Sequence, residues 1–135
     1  MDQNALFREV VQLTDAVVAD PRWAREKDDL GVSILGMLVY GFALMTGRTV
    51  MFLDIEDVDG AVVRAITSSV GAAQKWASGL VTEASQSAFD QSYHPGQYEL
   101  IGVGHSYFGV HDRAEIVDNV FENIQRFRRA ALDRA

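Results

Sequence analysis

A chain of 135 residues with 48% hydrophobic and 23% charged side chains has the make-up of one folded globular domain, not of a disordered segment. At this length roughly two-thirds of the unfolded surface is buried on folding; with no cysteine present, disulfide frameworks, thiolate zinc sites and cysteine nucleophiles are excluded together. The net charge is −7, and because the last ten residues hold four arginines against one aspartate, residues 1–125 carry −10, a balance that repels nucleic-acid phosphate and draws basic partners inward.

Along the chain, residues 4–19 set Leu6, Phe7, Val10, Val11, Leu13, Val17 and Val18 on one side of a period of about 3.6 residues. This spacing predicts an amphipathic helix capped by Asp2 or Asn4 and ended at Asp20-Pro21, because the residue before proline is pushed out of the helical region. The stretch Arg22–Asp29 is charged, with Trp23 as its one large apolar group.

Leu30–Thr46 carries no charge and is read as a helix buried on most sides, at the centre of the fold. It falls short of the about 20 residues of a membrane span, and its glycines at 31, 36 and 41 are spaced to point around the helix, not along one seam, which leaves a transmembrane helix as the lesser alternative. Gly47 is the expected helix stop. Thr49–Leu53 is rich in β-forming residues and reads equally as strand, buried loop or helix; 49–53 or 98–110 is where the sequence leaves room for a short β element.

The run D-I-E-D-V-D-G follows, with Asp54, Glu56, Asp57 and Asp59 inside six residues. Isoleucine at 55 and 66 stands where an EF-hand loop needs carboxylate ligands, so that type of calcium site is excluded. One cap and one flanking carboxylate suffice to start a helix. The excess negative charge points instead to a surface that steers a basic protein partner.

Ala61–Val70 has helical spacing, and Gly71 breaks or bends it before a second helix over 72–89 with Trp76, Leu80, Ala84 and Phe89 as its apolar stripe. Residues 91–111 hold all three histidines, three of the four tyrosines and four of the eleven glycines. Pro95-Gly96 marks a turn, and Tyr98–Val110 is read as a small hairpin or an irregular loop. A last helix begins at the capping box Asp112-Arg113-Ala114-Glu115 and runs through Ile116, Val117, Val120, Phe121, Ile124 and Phe127.

Two motifs in the 91–111 segment fail on inspection. L-I-G-V-G-H-S-Y-F-G over 100–109 resembles the nucleophile elbow of the α/β-hydrolases, but Phe108 stands where the second glycine belongs and no downstream Asp-then-His order fits. Gly102-Val103-Gly104 starts a dinucleotide-binding fingerprint, and Tyr107 then occupies its third glycine position. His105, His111 and Asp112 lack the spacing of a helical metal site, so no metal, cofactor or catalytic residue is expected. Tyr93, His94, Tyr98, Tyr107 and Phe108 fit as interface groups, since tyrosine buries an apolar face while keeping a polar tip, and fit equally as rings that pack the segment onto the helical core.

The expected fold is mainly α, a single domain over 1–135 of about five helices around a buried helix at 30–46. Small, acidic, cysteine-free and lacking a catalytic signature, the chain resembles the immunity proteins that neutralise bacterial toxins. The colicin-nuclease members are similar in kind, and Ser92-Tyr93-His94-Pro95 echoes their tyrosine–proline turn. The resemblance implies a cytoplasmic inhibitor, not an enzyme, that binds a toxin or effector directly through Asp54, Glu56, Asp57, Asp59 and the aromatic loop. No nucleic acid or membrane is expected as partner, and the oligomeric state stays open. A secretion or effector chaperone, or a small-molecule or metal-binding helical domain built on the histidine loop, are the alternatives.

Overall fold

The computed structural model describes residues 3–134, with side chains described as far as residue 131. Six α-helices follow one another: α1 (Gln3–Ala19), α2 (Asp29–Met45), α3 (Ile55–Ala65), α4 (Gln74–Phe89), α5 (Pro95–His105) and α6 (Arg113–Arg134). A short 3-10 turn at Pro21–Arg25 joins α1 to α2, and five-residue π-helical extensions prolong α2 (Thr46–Val50) and α3 (Ile66–Val70). Among the described residues there is no strand, so of the readings open for 49–53 and 98–110 the β element is the one that does not form. Residues 46–50 continue the preceding helix and 95–105 form α5, whose start is set by Pro95 at the first helical position and His94 as cap.

The mainly helical bundle expected from sequence is observed, and α2 is its axis: all five other α-helices pack against it. Although α2 with its extension is long and apolar enough to cross a membrane, most of its surface is covered by the protein itself. Its glycines explain how so many neighbours fit. Positions five apart on a helix point about 140° away from each other. Gly31 accordingly lies against the Glu26 carbonyl, Gly36 against Leu80 of α4, and Gly41 against α5. At this last contact the backbones nearly touch. A Cβ on Gly41 would lie 2.0 Å from the Ile101 carbonyl oxygen, and one on Gly104 would lie 2.0 Å from that of Leu38.

Capping side chains start the helices where the sequence indicated. Asp54 Oδ1 accepts from the Asp57 amide at 3.0 Å, and Asp112 Oδ1 accepts from the Ala114 amide at 3.0 Å. Asp28 caps α2 by accepting from the Gly31 amide at 2.8 Å, and Arg128 of α6 donates to the same carboxylate at 2.7 Å and pairs with the buried Glu26 at 3.3 Å. The end of the last helix is thereby tied to the start of the central one. For α1 the expectation changes: Asn4 lies inside the helix, where its side-chain oxygen accepts from Arg64 Nη1 at 2.7 Å, and Asp2 is outside the described residues. In α4 the buried stripe is Ala77, Leu80, Val81, Ala84 and Ser87, which leaves Trp76 and Phe89 at the surface.

Candidate docking site

Where α2 ends, the chain departs most from the sequence expectation. Gly47 does not stop the helix. It is buried at a packing point, where a Cβ would meet Leu6 Cδ2 and Val58 Cγ2 at 2.9 Å. The helix therefore runs on as a π-turn, closed by the Met51 amide donating to the Thr46 carbonyl at 3.3 Å and the Leu53 amide donating to the Gly47 carbonyl at 2.9 Å. Such a helix end needs one residue in the left-handed region, a place usually taken by glycine. That residue is Phe52, with φ +56°.

Phe52 is 86% exposed and Val50 44% exposed, while Leu53 next to them is buried. The tip therefore stands on an anchored base and presents apolar side chains outward. Immediately after it, Asp54 and Glu56 are exposed on the first turn of α3, and Asp57 beside them is half-buried. Arg48 is the exposed cation on the tip.

Asp59 behaves differently. Its Oδ1 accepts from the hydroxyl of the fully buried Tyr40 at 2.7 Å, linking α3 to α2. Burial raises its pKa above the ordinary carboxylate value; the Tyr40 hydrogen bond opposes this rise and the nearby Glu56 charge adds to it. Desolvation, with the Asp59 carboxylate beside it, pushes the Tyr40 phenol up as well.

The aromatic segment is divided by the fold. Tyr93 and Tyr98 are exposed around the α4–α5 turn, and His94 caps α5 there by accepting from the Gln97 amide on Nδ1 at 3.1 Å. Phe108 is exposed beyond the other end of α5. Tyr107 is buried and donates to Asn119 Oδ1 at 2.8 Å, with its phenol pushed up by desolvation. Of the nine candidate residues, Asp54, Glu56 and Asp57 thus share one helix start, Tyr93, His94 and Tyr98 share one turn, Phe108 stands apart, and Asp59 and Tyr107 are held in internal hydrogen bonds. Phe52 and Val50 were missed. The sequence signal was the uncharged V-M-F-L directly ahead of the carboxylates, obscured by the β-like composition of that stretch.

Other chemistry weighed from the sequence finds little geometry to rest on. Ser106 follows α5, where its hydroxyl donates to the Val103 carbonyl at 2.5 Å, and Gly104 serves helix packing. Burial lowers the pKa of His105, and its Nε2 has no hydrogen-bond partner. Among the described residues no group of three or more histidine or carboxylate side chains gathers to hold a metal ion. Compared with known proteins, the chain matches no family model, no curated protein and no solved structure.

Proposed function

We propose that this chain is a small protein-binding module that neutralises a basic toxin or effector in the cytoplasm by direct contact, with no bond made or broken. The observation that carries this reading is the exposed apolar tip Val50–Phe52 set against the exposed carboxylates of Asp54 and Glu56. Exposed apolar groups rimmed by charge are what a docking surface requires, since the apolar part supplies affinity and the charged part supplies encounter rate. A net charge of −7 extends the attraction beyond contact distance.

The test begins with affinity capture on the wild-type chain and identification of the protein retained at low salt. That protein is then expressed alone and together with this chain. The proposal expects growth arrest alone, relief on co-expression, and weaker relief with the double variant Asp54→Asn and Glu56→Gln, in which asparagine preserves the helix cap. A captured protein that is acidic, or harmless when expressed alone, contradicts it.

A further inference from the structure

We infer that Phe52 is the anchor of this docking surface, presented by a left-handed helix stop that favours glycine, and that it fits a protein partner offering an apolar pocket edged by lysine or arginine. The inference rests on the protein-binding reading above and deepens it by naming the anchor and the chemistry that receives it.

The chain supplies its own control. Three described residues adopt the left-handed conformation: Phe52 at φ +56°, Gly71 at φ +80° and Gly109 at φ +84°. Gly71 is the closest parallel, because it too ends a π-helical extension, that of α3. In two of the three places the backbone has the residue that suits it. In the third it has a side chain that strains the backbone. A strained residue persists where its surroundings impose the conformation, and such residues concentrate at ligand clamps and binding sites.

The ring gains nothing inside the molecule in exchange. It is 86% exposed, whereas the residue after it, Leu53, is buried and the one before it, Met51, packs partly on the core. With the turn held by the bonds to the Thr46 and Gly47 carbonyls, the ring is displayed on a fixed base, and the backbone beneath it loses little freedom on docking.

The charges select the occupant. Asp54 and Glu56 beside the ring call for cations around the receiving pocket, and Arg48 adds one point of opposite sign that sets orientation. A second copy brings the same net charge of −7 and the same surplus of carboxylates over Arg48, so it meets repulsion where a basic protein meets attraction. An anionic bilayer would repel the same groups.

The experiment uses the full chain with Phe52→p-benzoylphenylalanine, an exposed aromatic photo-crosslinker, irradiated in a lysate of the source cells beside a control carrying the same group at the exposed Phe89. The expected product joins residue 52 to a basic protein at an apolar pocket flanked by lysine or arginine. With that protein purified, Phe52→Gly is expected to speed dissociation about 30-fold while association changes less than about twofold, as for a buried aromatic hot spot. The variant Asp54→Asn/Glu56→Gln is expected to slow association about tenfold at low salt and to flatten its salt dependence.

A crosslink to a second copy of the chain, retention on phosphatidylglycerol vesicles that Phe52→Gly abolishes, or an unchanged dissociation rate for Phe52→Gly overturns the inference. The two readings fail separately. If only the carboxylate variant is silent, steering is lost and the anchor stands; if only Phe52→Gly is silent, the anchor is lost and the charged surface stands.

Discussion

At the scale of single residues, Asp54 and Asp59 show that equal charges five positions apart need not do equal work. Asp54 faces water and caps α3, while Asp59 is taken up by the buried Tyr40 hydroxyl at 2.7 Å. A carboxylate whose folded pKa is raised adds stability that is fully present below its unfolded pKa and is lost as pH rises through the folded value. Replacing Asp59 with Asn keeps the acceptor for Tyr40 and removes the buried charge. Asp59→Asn is therefore expected to be more stable than the wild type at pH 7, with the difference shrinking as pH falls toward about 4. Urea unfolding of both proteins at the two pH values checks this, and a lower midpoint for the variant at pH 7 would contradict it. None of this was legible in the sequence, where the four carboxylates look alike. Only the helical period of α3, which turns Val58, Ala61 and Val62 to the core, hints that Asp59 lies at the edge of the buried face.

At the scale of elements, most helices were legible because their buried positions recur with helical spacing, and α2, α3 and α6 start beside an aspartate that accepts from a first-turn amide. Two features were not. The segment 95–105 reads as turn and glycine, yet it forms α5 because Gly104 allows it to lie against Gly41 of α2. That is a tertiary gain which local propensity does not contain. Likewise, the expected stop at Gly47 moved to Phe52 because Gly47 is occupied in the contact with Leu6 and Val58. A glycine's role as stop or as packing point cannot be told from its neighbours in sequence. The α2–α5 contact makes a direct prediction. Gly41→Ala places a methyl 2.0 Å from the Ile101 carbonyl oxygen, so the helices must separate, and a loss of about 3 kcal/mol or more is expected in chemical unfolding. Gly79→Ala is the control, since nothing lies within 4 Å of its added Cβ; on an exposed helix it is expected to gain about 0.5–1 kcal/mol.

At the scale of the whole molecule, ion pairs of α6 tie it to the rest of the bundle, and the chain carries a net charge of −7. Arg128 holds Glu26, which is only 6% exposed, and Asp28 together at the junction of α6 with α2. Arg128→Met leaves Glu26 buried beside no cation, and a loss of about 3 kcal/mol is expected in unfolding at pH 7. The hydrogen bonds from Arg128 and the Gly31 amide hold Asp28 below its ordinary pKa, and Arg22 holds Asp20 down at about 2. Both contributions are present above the ordinary carboxylate range and fade as pH falls, so acid is expected to weaken the wild type, in the direction opposite to the effect of Asp59 alone. The central claim is that the molecule gives up stability to display Phe52, and it is tested without any partner. The most direct measurement is the free energy of unfolding of Phe52→Gly against the wild type in guanidinium chloride. Because glycine fits the left-handed stop and the ring makes almost no internal contact, the variant is expected to be more stable by about 1 kcal/mol with an unchanged denaturant slope. An equal or lower stability would mean that Phe52 is held for the fold and not for a partner.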